Sequence, residues 1–314
     1  MNKELTDKIR ENIARVIVGK EEVVDLLLTA LLAEGHVLID DVPGTGKTKL
    51  VNTLARSLSA AFRRIQFTPD LQPADITGIY FYNRKQGDFQ FRPGPIMNNI
   101  ILADEINRAV PRTQSSLLEA MQERQVTIEG DEFKLEEPFM VIATQNPVEM
   151  EGTFPLPEAQ LDRFLLRLKM GYPDRDEEIQ IMKRFRREDP LESLEPVADK
   201  EEVLKLRQEA REVKIEEELL DYIGDLCRAT REDERIELGV SPRGTLGLMR
   251  AVRAYAFVRG RDYVLPDDVK HLFPYIAGHR INLSHEFGMS GSREEVIGEI
   301  LASIEVPVEG NLDG

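Results

Sequence analysis

Apolar residues follow two different patterns along the chain, and the change falls near residue 172. Before it, short continuous apolar runs alternate with stretches of helical periodicity. The runs are His36–Ile39, Arg64–Phe67, Ile100–Ala103 and Phe139–Ile142, and the helical stretches include Lys47–Ser59 and Thr113–Gln125. Short apolar runs of this kind are typical of strands buried on both faces of a parallel sheet. The pattern therefore predicts an α/β domain over residues 1–172.

Two segments inside this region alternate apolar and polar residues around a turn. Ile79–Arg92 surrounds a Lys85–Asp88 turn, and residues 126–135 surround Gly130 and Asp131. Both segments predict β-hairpins. From residue 173 to 314 the periodicity is helical and no segment favours a strand, so we expect an all-α second domain.

Charge and cysteine content narrow the possible functions. The 314 residues carry 41 basic and 57 acidic side chains, a net charge of −16, and residues 174–234 alone hold 21 acidic and 12 basic side chains. This balance argues against a strongly basic nucleic-acid clamp. One cysteine, Cys227, permits neither an internal disulfide nor a multi-cysteine zinc site. With no apolar leader and no apolar stretch near the ~18 residues of a membrane span, we expect a cytoplasmic protein that does not span a membrane.

A glycine-rich segment follows the first apolar run. It comprises Pro43, Gly44, Thr45, Gly46, Lys47, Thr48 and Lys49. Between a strand and a helix, such a loop lets backbone amides surround a polyphosphate at the positive end of the helix. Lys47 would reach the β- and γ-phosphates, and the Thr48 hydroxyl would bind Mg²⁺. Asp41 stands where the usual pattern has its first glycine, at the edge of the loop. The alternative is a flexible turn without a ligand.

Two later runs end in polar side chains. The third run is followed by Asp104 and Glu105, and the fourth leads to Asn146 before Pro147. The carboxyl ends of parallel strands are where open α/β sheets bind ligands. Asp104 would hold Mg²⁺, Glu105 would activate the attacking water, and Asn146 would orient that water. Solvated acids and an ordinary Asn-Pro turn are the alternatives.

Two arginines are candidates for stabilising charge that develops on a transferred phosphoryl group. Arg163 ends the segment Glu158–Arg163, and Arg243 follows Ser241 and Pro242 at the start of a helical stretch. A neighbouring subunit often supplies such a guanidinium. Their spacing alone favours ordinary ion pairs.

In this order, the motifs resemble those of the MoxR group of AAA+ ATPases over essentially the whole chain. The matching stretches are Val16–Lys20, Val42–Thr48, Ile65–Gly78, Ala103–Ala109, Leu117–Thr127, Ala143–Pro147, Glu158–Phe164 and Ser241–Arg243. Eight matches in the same order are highly specific. Any one of them alone would be a weak signal, apart from the glycine-rich loop.

The resemblance implies a role for each candidate residue. It implies a P-loop AAA+ core with a Walker A loop at Gly44–Thr48, a Walker B pair at Asp104 and Glu105, and a helical lid. It further implies a sensor-1 residue at Asn146, an arginine finger at Arg163, a sensor-2 arginine at Arg243, and Val18 and Gly19 beside the adenine. The two hairpins would be the inserts of this clade.

The resemblance also implies cofactors and partners. Members of the group bind ATP and Mg²⁺ and act as ring oligomers, usually hexamers. They remodel or activate partner proteins that often carry a von Willebrand factor A domain, and no direct contact with nucleic acid is expected. Arg163 would then act across a subunit interface, so hydrolysis would require assembly.

Other functions stay open at this point. The chain could be a nucleotide-gated scaffold with little turnover, a DNA-associated AAA+ motor, or a magnesium-chelatase-like subunit. Aromatic and basic residues in the first hairpin could stack on nucleic acid, but a loop that contacts a protein partner suits the acidic chain better.

Overall fold

The computed structural model describes residues 3–40, 42, 44–146, 152–289 and 291–307. The strands are β1 Val37–Asp40, β2 Phe62–Gln66, β3 Gly78–Asn83, β4 Asp88–Pro93, β5 Ile100–Asp104, β6 Gln125–Ile128, β7 Asp131–Lys134, β8 Met140–Gln145, β9 Leu166–Leu168, β10 Ile236–Leu238 and β11 Asn282–Leu283. The helices are α1 Lys3–Ala14, α2 Glu21–Leu32, α3 Lys47–Ser57, α4 Pro73–Thr77, α5 Pro111–Glu123, α6 Glu158–Leu161, α7 Arg175–Arg184, α8 Lys200–Arg211, α9 Glu217–Glu232, α10 Pro242–Val258, α11 Pro266–Ala277, α12 His285–Gly288 and α13 Arg293–Ser303. Short 3₁₀ turns lie at Pro95–Met97 and Ile106–Arg108.

A five-stranded parallel sheet forms the centre of the first region, with the strand order β2-β5-β8-β1-β9. Successive side chains of a strand point to opposite faces. On β5, for example, Ile100 and Leu102 join one apolar cluster, whereas Ile101 and Ala103 join the other. Both faces are therefore buried, and the predicted mostly parallel α/β sheet is confirmed. The edge strand β9 is an addition that the apolar runs do not indicate.

Both predicted hairpins form. β3 pairs with β4 and β6 pairs with β7, each antiparallel. The two hairpins also touch, because the rings of Phe91 and Phe133 stack with centroids 4.2 Å apart and the Tyr80 hydroxyl donates to Asp131 at 2.6 Å. They form one joined projection on the core.

The region after β9 is helical, as predicted. Acidic N-caps start two of its helices: Asp174 accepts backbone N–H bonds at the start of α7, and Asp199 does so for α8. One correction is needed to the prediction of an all-α region. β10 and β11 form a short antiparallel pair, joining Ile236 to Leu283, that is too short to show periodicity.

The helical region packs directly on the core. One apolar cluster runs without a break from α1, α2 and one face of the sheet to α8, α9, α10 and α11. Cys227 lies in this cluster and is buried. Among the described residues, no helix is both long and apolar enough to cross a bilayer.

Candidate nucleotide-binding site

The register of the central sheet brings polar side chains to one edge. Asp40 at the end of β1 lies opposite Gln145 on β8, and Gln66 at the end of β2 lies opposite Asp104 on β5. Because all four strands are parallel, their carboxyl ends face the same side. This edge is where a ligand site is expected in an open α/β sheet.

The glycine-rich loop joins β1 to α3 above that edge. Gly44 and Gly46 have φ values of +88° and +90°, a left-handed conformation that side chains with a Cβ rarely adopt. Gly46 is the N-cap of α3, so its left-handed turn aims the first amides of the helix at the cleft. The Lys47 ammonium donates to the carbonyl oxygen of Val42 at 2.6 Å. Pro43 and Asp41 lie outside the described residues.

A cleft of about 520 Å³ lies between the loop and the sheet edge. Its lining includes Gly44, Gly46, Lys47, Thr48, Lys49, Asn52, Arg64, Asp104, Glu105, Thr144, Gln145 and Asn146. The structure thus brings together the predicted phosphate loop, the two acids and Asn146.

Asp104 is held from two sides. Its Oδ1 accepts a hydrogen bond from the Thr144 hydroxyl at 2.6 Å, and its Oδ2 accepts from Nε and Nη2 of Arg64 at 2.9 and 2.6 Å. These contacts fix the carboxylate at the floor of the cleft. Thr48 lines the same cleft, and one hydroxyl plus one carboxylate fits Mg²⁺, which takes water and substrate phosphate as its other ligands. Within the described ranges, no group of three or more His, Cys, Asp or Glu side chains could hold a metal ion.

Glu105 adopts an unusual backbone conformation, with φ at +57°. Its backbone N–H donates to the Thr144 hydroxyl oxygen at 2.9 Å, so one hydroxyl contacts both acids. Its carboxylate accepts from the Gln66 amide at 2.8 Å and from Arg108 at 2.9 Å. A strained backbone at a site residue is retained only where neighbouring contacts hold it, and Thr144 supplies such a contact.

A second pocket of about 290 Å³ adjoins the loop. Apolar side chains line it, namely Val16, Ile17, Val18, Met170, Ile181 and Phe185, and it shares Gly44, Gly46 and Lys49 with the cleft. Thr45 lines this pocket. Gly19 lies between two lining residues, Val18 and Lys20, without lining it. The flat apolar base of a nucleotide fits such a pocket, while the phosphates of the same nucleotide reach the loop.

Lys49 stands at the border of the two spaces. Its ammonium pairs with Asp189 and lies 5.3 Å from the centre of the Phe185 ring. The α3 helix and the segment after α7 are thereby tied together beside the loop.

Arg163 and Arg243 do not line this cleft. Both line a separate pocket at the junction of the core and the helical region, around Asp162. The buried Arg280 donates from Nε to Oδ1 of Asp162 at 2.8 Å, and Ser241 donates to the same carboxylate at 3.0 Å. The two predicted arginines are therefore near each other and away from the chain's own phosphate loop.

The sequence alone suggests no role for Thr144, Arg64 or Gln66. Gln66 and Thr144 are among the last two residues of their strands, and that position is the signal that could have found them. Arg64 lies in the middle of β2 and carries no such signal. Thr144 follows Ala143, which pairs with Ala103 just before Asp104.

Comparisons with known proteins agree with this geometry. Residues 36–166 match the profile of the ATPase family associated with various cellular activities, and residues 228–300 match that of the AAA lid domain. The chain is 51% identical to the uncharacterized protein YeaC of Bacillus subtilis, over 97% of this chain and 96% of that protein.

Two further relatives carry more informative names. Chaperone MoxR1 of Mycobacterium tuberculosis is 42% identical over 94% of this chain and 80% of its own length. A crystal structure of a candidate ATPase from Cytophaga hutchinsonii superposes with a TM-score of 0.91 at 40% identity, over 98% of this chain and 96% of that one. The chain therefore belongs to the MoxR family of AAA+ ATPases.

Proposed function

We propose that this protein hydrolyses ATP with Mg²⁺ in the cytoplasm and uses the energy to remodel or activate partner proteins. The observation that carries the proposal is the single cleft in which Lys47, Thr48, Asp104, Glu105 and Asn146 meet. We divide the chain into a nucleotide-binding core, residues 1–172, and a lid, residues 173–314.

The chain's own residues account for the steps of hydrolysis. The loop amides from Gly44 onward and the Lys47 ammonium bind the phosphates. Thr48 and Asp104 would hold Mg²⁺, which when bound would neutralise charge on the phosphates. Glu105 takes the proton of the attacking water, and the Asn146 amide orients that water.

Ring assembly would add a guanidinium to a cleft whose own arginine, Arg64, is paired with Asp104. Arg163 and Arg243 lie together in a different pocket, so we infer that they act on the nucleotide of a neighbouring subunit in a ring, a hexamer by the resemblance. A guanidinium on the transferred phosphoryl group stabilises its developing charge.

The joined hairpins are our candidate surface for a protein partner. Tyr82 and Phe89 at the end of the first hairpin are 53% and 64% exposed, and one relative is named a chaperone. We expect a protein partner, of the kind with a von Willebrand factor A domain, and no direct nucleic-acid binding.

Turnover measured against protein concentration tests the proposal. We expect hydrolysis per subunit to fall steeply below the concentration at which rings form, and Glu105→Gln to bind ATP and assemble without turnover. Arg163→Ala should lower turnover by about 10³- to 10⁵-fold. Turnover independent of concentration down to the monomer would contradict ring-dependent catalysis, and ATP binding with assembly but no turnover would favour a scaffold.

Affinity capture with Glu105→Gln held in its ATP-bound state tests the partner class. Bound polypeptides that are absent from a Lys47→Ala capture would support remodelling of proteins. Recovery of nucleic acid in place of protein would contradict it.

A further inference from the structure

Five arginines converge on one pocket of about 270 Å³ between the core and the lid, which we call the arginine pocket. They are Arg124, Arg163, Arg243, Arg250 and Arg280. Two carboxylates, Glu34 and Asp162, also line it. Positive charge is therefore in excess at this surface of an otherwise acidic chain.

The two carboxylates are already engaged. Glu34 accepts from Arg124 at 2.8 Å and also pairs with Arg211. Asp162 accepts from Arg280 at 2.8 Å and from Ser241. Arg280 is further fixed by backbone carbonyl oxygens, among them that of Phe164 at 2.6 Å. Arg124 and Arg280 are thus engaged in contacts that stabilise the fold.

Among the residues that the structure describes, the other three guanidiniums have no ion pair shorter than 3.8 Å. Arg243 stands 3.8 Å from Asp162, at the outer limit of an ion pair. The Nε of Arg163 is buried without a hydrogen-bond partner in the described part of the chain. Across the same described residues, the Arg250 side chain makes neither a hydrogen bond nor an ion pair. The unpartnered Nε of half-buried Arg163 costs free energy unless an anion completes its site. Arg243 and Arg250 are exposed, so an anion on a neighbouring molecule can reach them.

Helix α10 sets Arg250 on the same face as Arg243. Positions 243, 247 and 250 are spaced i, i+4 and i+7, so they line one side of the helix. Gly247 lies between the two arginines, where an added Cβ would come within 3.0 Å of Leu165 Cδ1. The helix can therefore lie close to the Arg163 segment. Partial desolvation of the guanidinium, followed by the charges of Arg124 and Arg211, lowers the pKa of Arg250, as expected of a cation that lies beside other cations.

We propose that Arg250 is a third guanidinium of the intersubunit site, beside Arg163 and Arg243, and contacts the terminal phosphate of the nucleotide bound by the neighbouring subunit. This inference rests on the proposed ring-dependent hydrolysis. Arg163 comes from the core, whereas Arg243 and Arg250 come from the lid. The contacts to the phosphate bound by one subunit would therefore depend on the relative position of core and lid in the next subunit.

Steady-state kinetics above the ring-forming concentration give the first test. We expect Arg250→Ala to lower kcat by about 10²- to 10³-fold, the effect of removing one hydrogen-bond donor from a transition state, with little change in KM. Arg250→Lys should recover part of the loss, because an ammonium keeps the charge but not the fork of donors. Arg228→Ala is the matched control, since that exposed arginine pairs with Glu232 on α9.

Mixed rings give the decisive test. In a ring of Arg250→Ala and Lys47→Ala subunits, the first supplies an intact phosphate loop and the second an intact Arg250. Mixing these two impaired proteins should therefore raise turnover above the sum of the separate proteins. A Glu105→Gln and Lys47→Ala mixture should show no gain, because both changes damage the same side of the interface.

The outcomes distinguish this inference from the ring-dependent hydrolysis on which it rests. If Arg163→Ala complements Lys47→Ala but Arg250→Ala does not, Arg250 does not act across the interface and the inference is wrong. If neither complements, ring-dependent hydrolysis itself fails. If Arg250→Ala weakens assembly and leaves kcat unchanged, the guanidinium meets a carboxylate of the neighbour, which also overturns the inference.

Discussion

The hydroxyl of Thr144 donates a hydrogen bond to Oδ1 of Asp104 at 2.6 Å, and the same oxygen accepts the backbone N–H of Glu105 at 2.9 Å. One side chain of β8 thus orients the carboxylate that we assign to Mg²⁺ and the backbone of the residue that we assign as the base. Thr144 is almost fully buried, so water cannot readily replace either contact.

Thr144→Val should therefore impair hydrolysis more than nucleotide binding. Valine keeps the shape but removes the hydroxyl, which leaves the Asp104 carboxylate and the Glu105 backbone less fixed. We expect kcat to fall by about 10- to 100-fold, measured as phosphate release beside the affinity for a fluorescent ATP analogue. Thr144→Ser, which retains the hydroxyl, should stay near the parental rate. Parental kcat in the valine variant would show that the contact is not needed.

Much of the core could be predicted from the sequence, because four apolar runs matched four strands of the central sheet, and β1, β5 and β8 are buried along almost their whole length. The edge strand β9 was missed because its central residue is charged. Arg167 is tolerated there because it donates to the buried Asp40 carboxylate at the end of β1 with Nε at 2.6 Å. Because Arg167 and Asp40 are 127 positions apart, no local pattern in the sequence indicates that they pair.

The residues of the candidate site also divide into those that the sequence indicates and those that it does not. The glycines, the lysine that we assign to the phosphates and the paired acids have a spacing that such chemistry imposes, so the sequence suggests them as candidates. Thr144 and Arg250 have no characteristic spacing in the sequence. A threonine is common in any strand, and an arginine on a helix is usually a solvated charge. Their positions follow only from strand register and from the packing of α10 on the core.

Removing Asp162 should destabilise the protein as well as disturb the arginine pocket. Its carboxylate is the counter-charge of Arg280, whose side chain is 3% exposed. Breaking a buried pair by removing one partner costs about 3 kcal/mol or more, so we expect Asp162→Ala to lower the free energy of unfolding by about 3 kcal/mol in urea denaturation. Asp267→Ala, which removes an 89% exposed carboxylate, should change it by less than about 0.5 kcal/mol. Equal effects of the two changes would contradict the role of the buried pair.

The joined hairpins should behave as one unit in a double-mutant cycle. The stack of Phe91 on Phe133 links two elements that are distant in sequence. We expect Phe91→Ala and Phe133→Ala to show a coupling energy of about 1 kcal/mol, measured by urea denaturation of the two single variants and the double variant. Phe89→Ala paired with Phe133→Ala should show no coupling, since no stacking joins those rings. Additive effects of Phe91→Ala and Phe133→Ala would mean that the hairpins are energetically separate.

His36 should make the stability of the fold fall as the solution is acidified. Its ring is fully enclosed at the start of β1, where Nδ1 accepts the backbone N–H of Val141 at 3.0 Å, so the other nitrogen, Nε2, donates to the carbonyl oxygen of Met121. Burial, with smaller contributions from the charges of Arg124 and Arg207, lowers the pKa of His36 from 6.5 to about 4. The neutral ring is therefore the form that the folded protein requires.

The sign of the pH dependence follows from proton binding. Between pH 6.5 and 4 the unfolded chain binds a proton at His36 and the folded chain does not, so the free energy of unfolding decreases as the pH falls through this range. A pKa difference of this size corresponds to about 3 kcal/mol. We expect His36→Gln, which has no proton to take up, to be less stable than the parent at pH 7 but to lose less stability on acidification to pH 4.5. Urea denaturation of both proteins at each pH measures the difference, and parallel curves would show that the buried ring is not what makes the fold sensitive to acid.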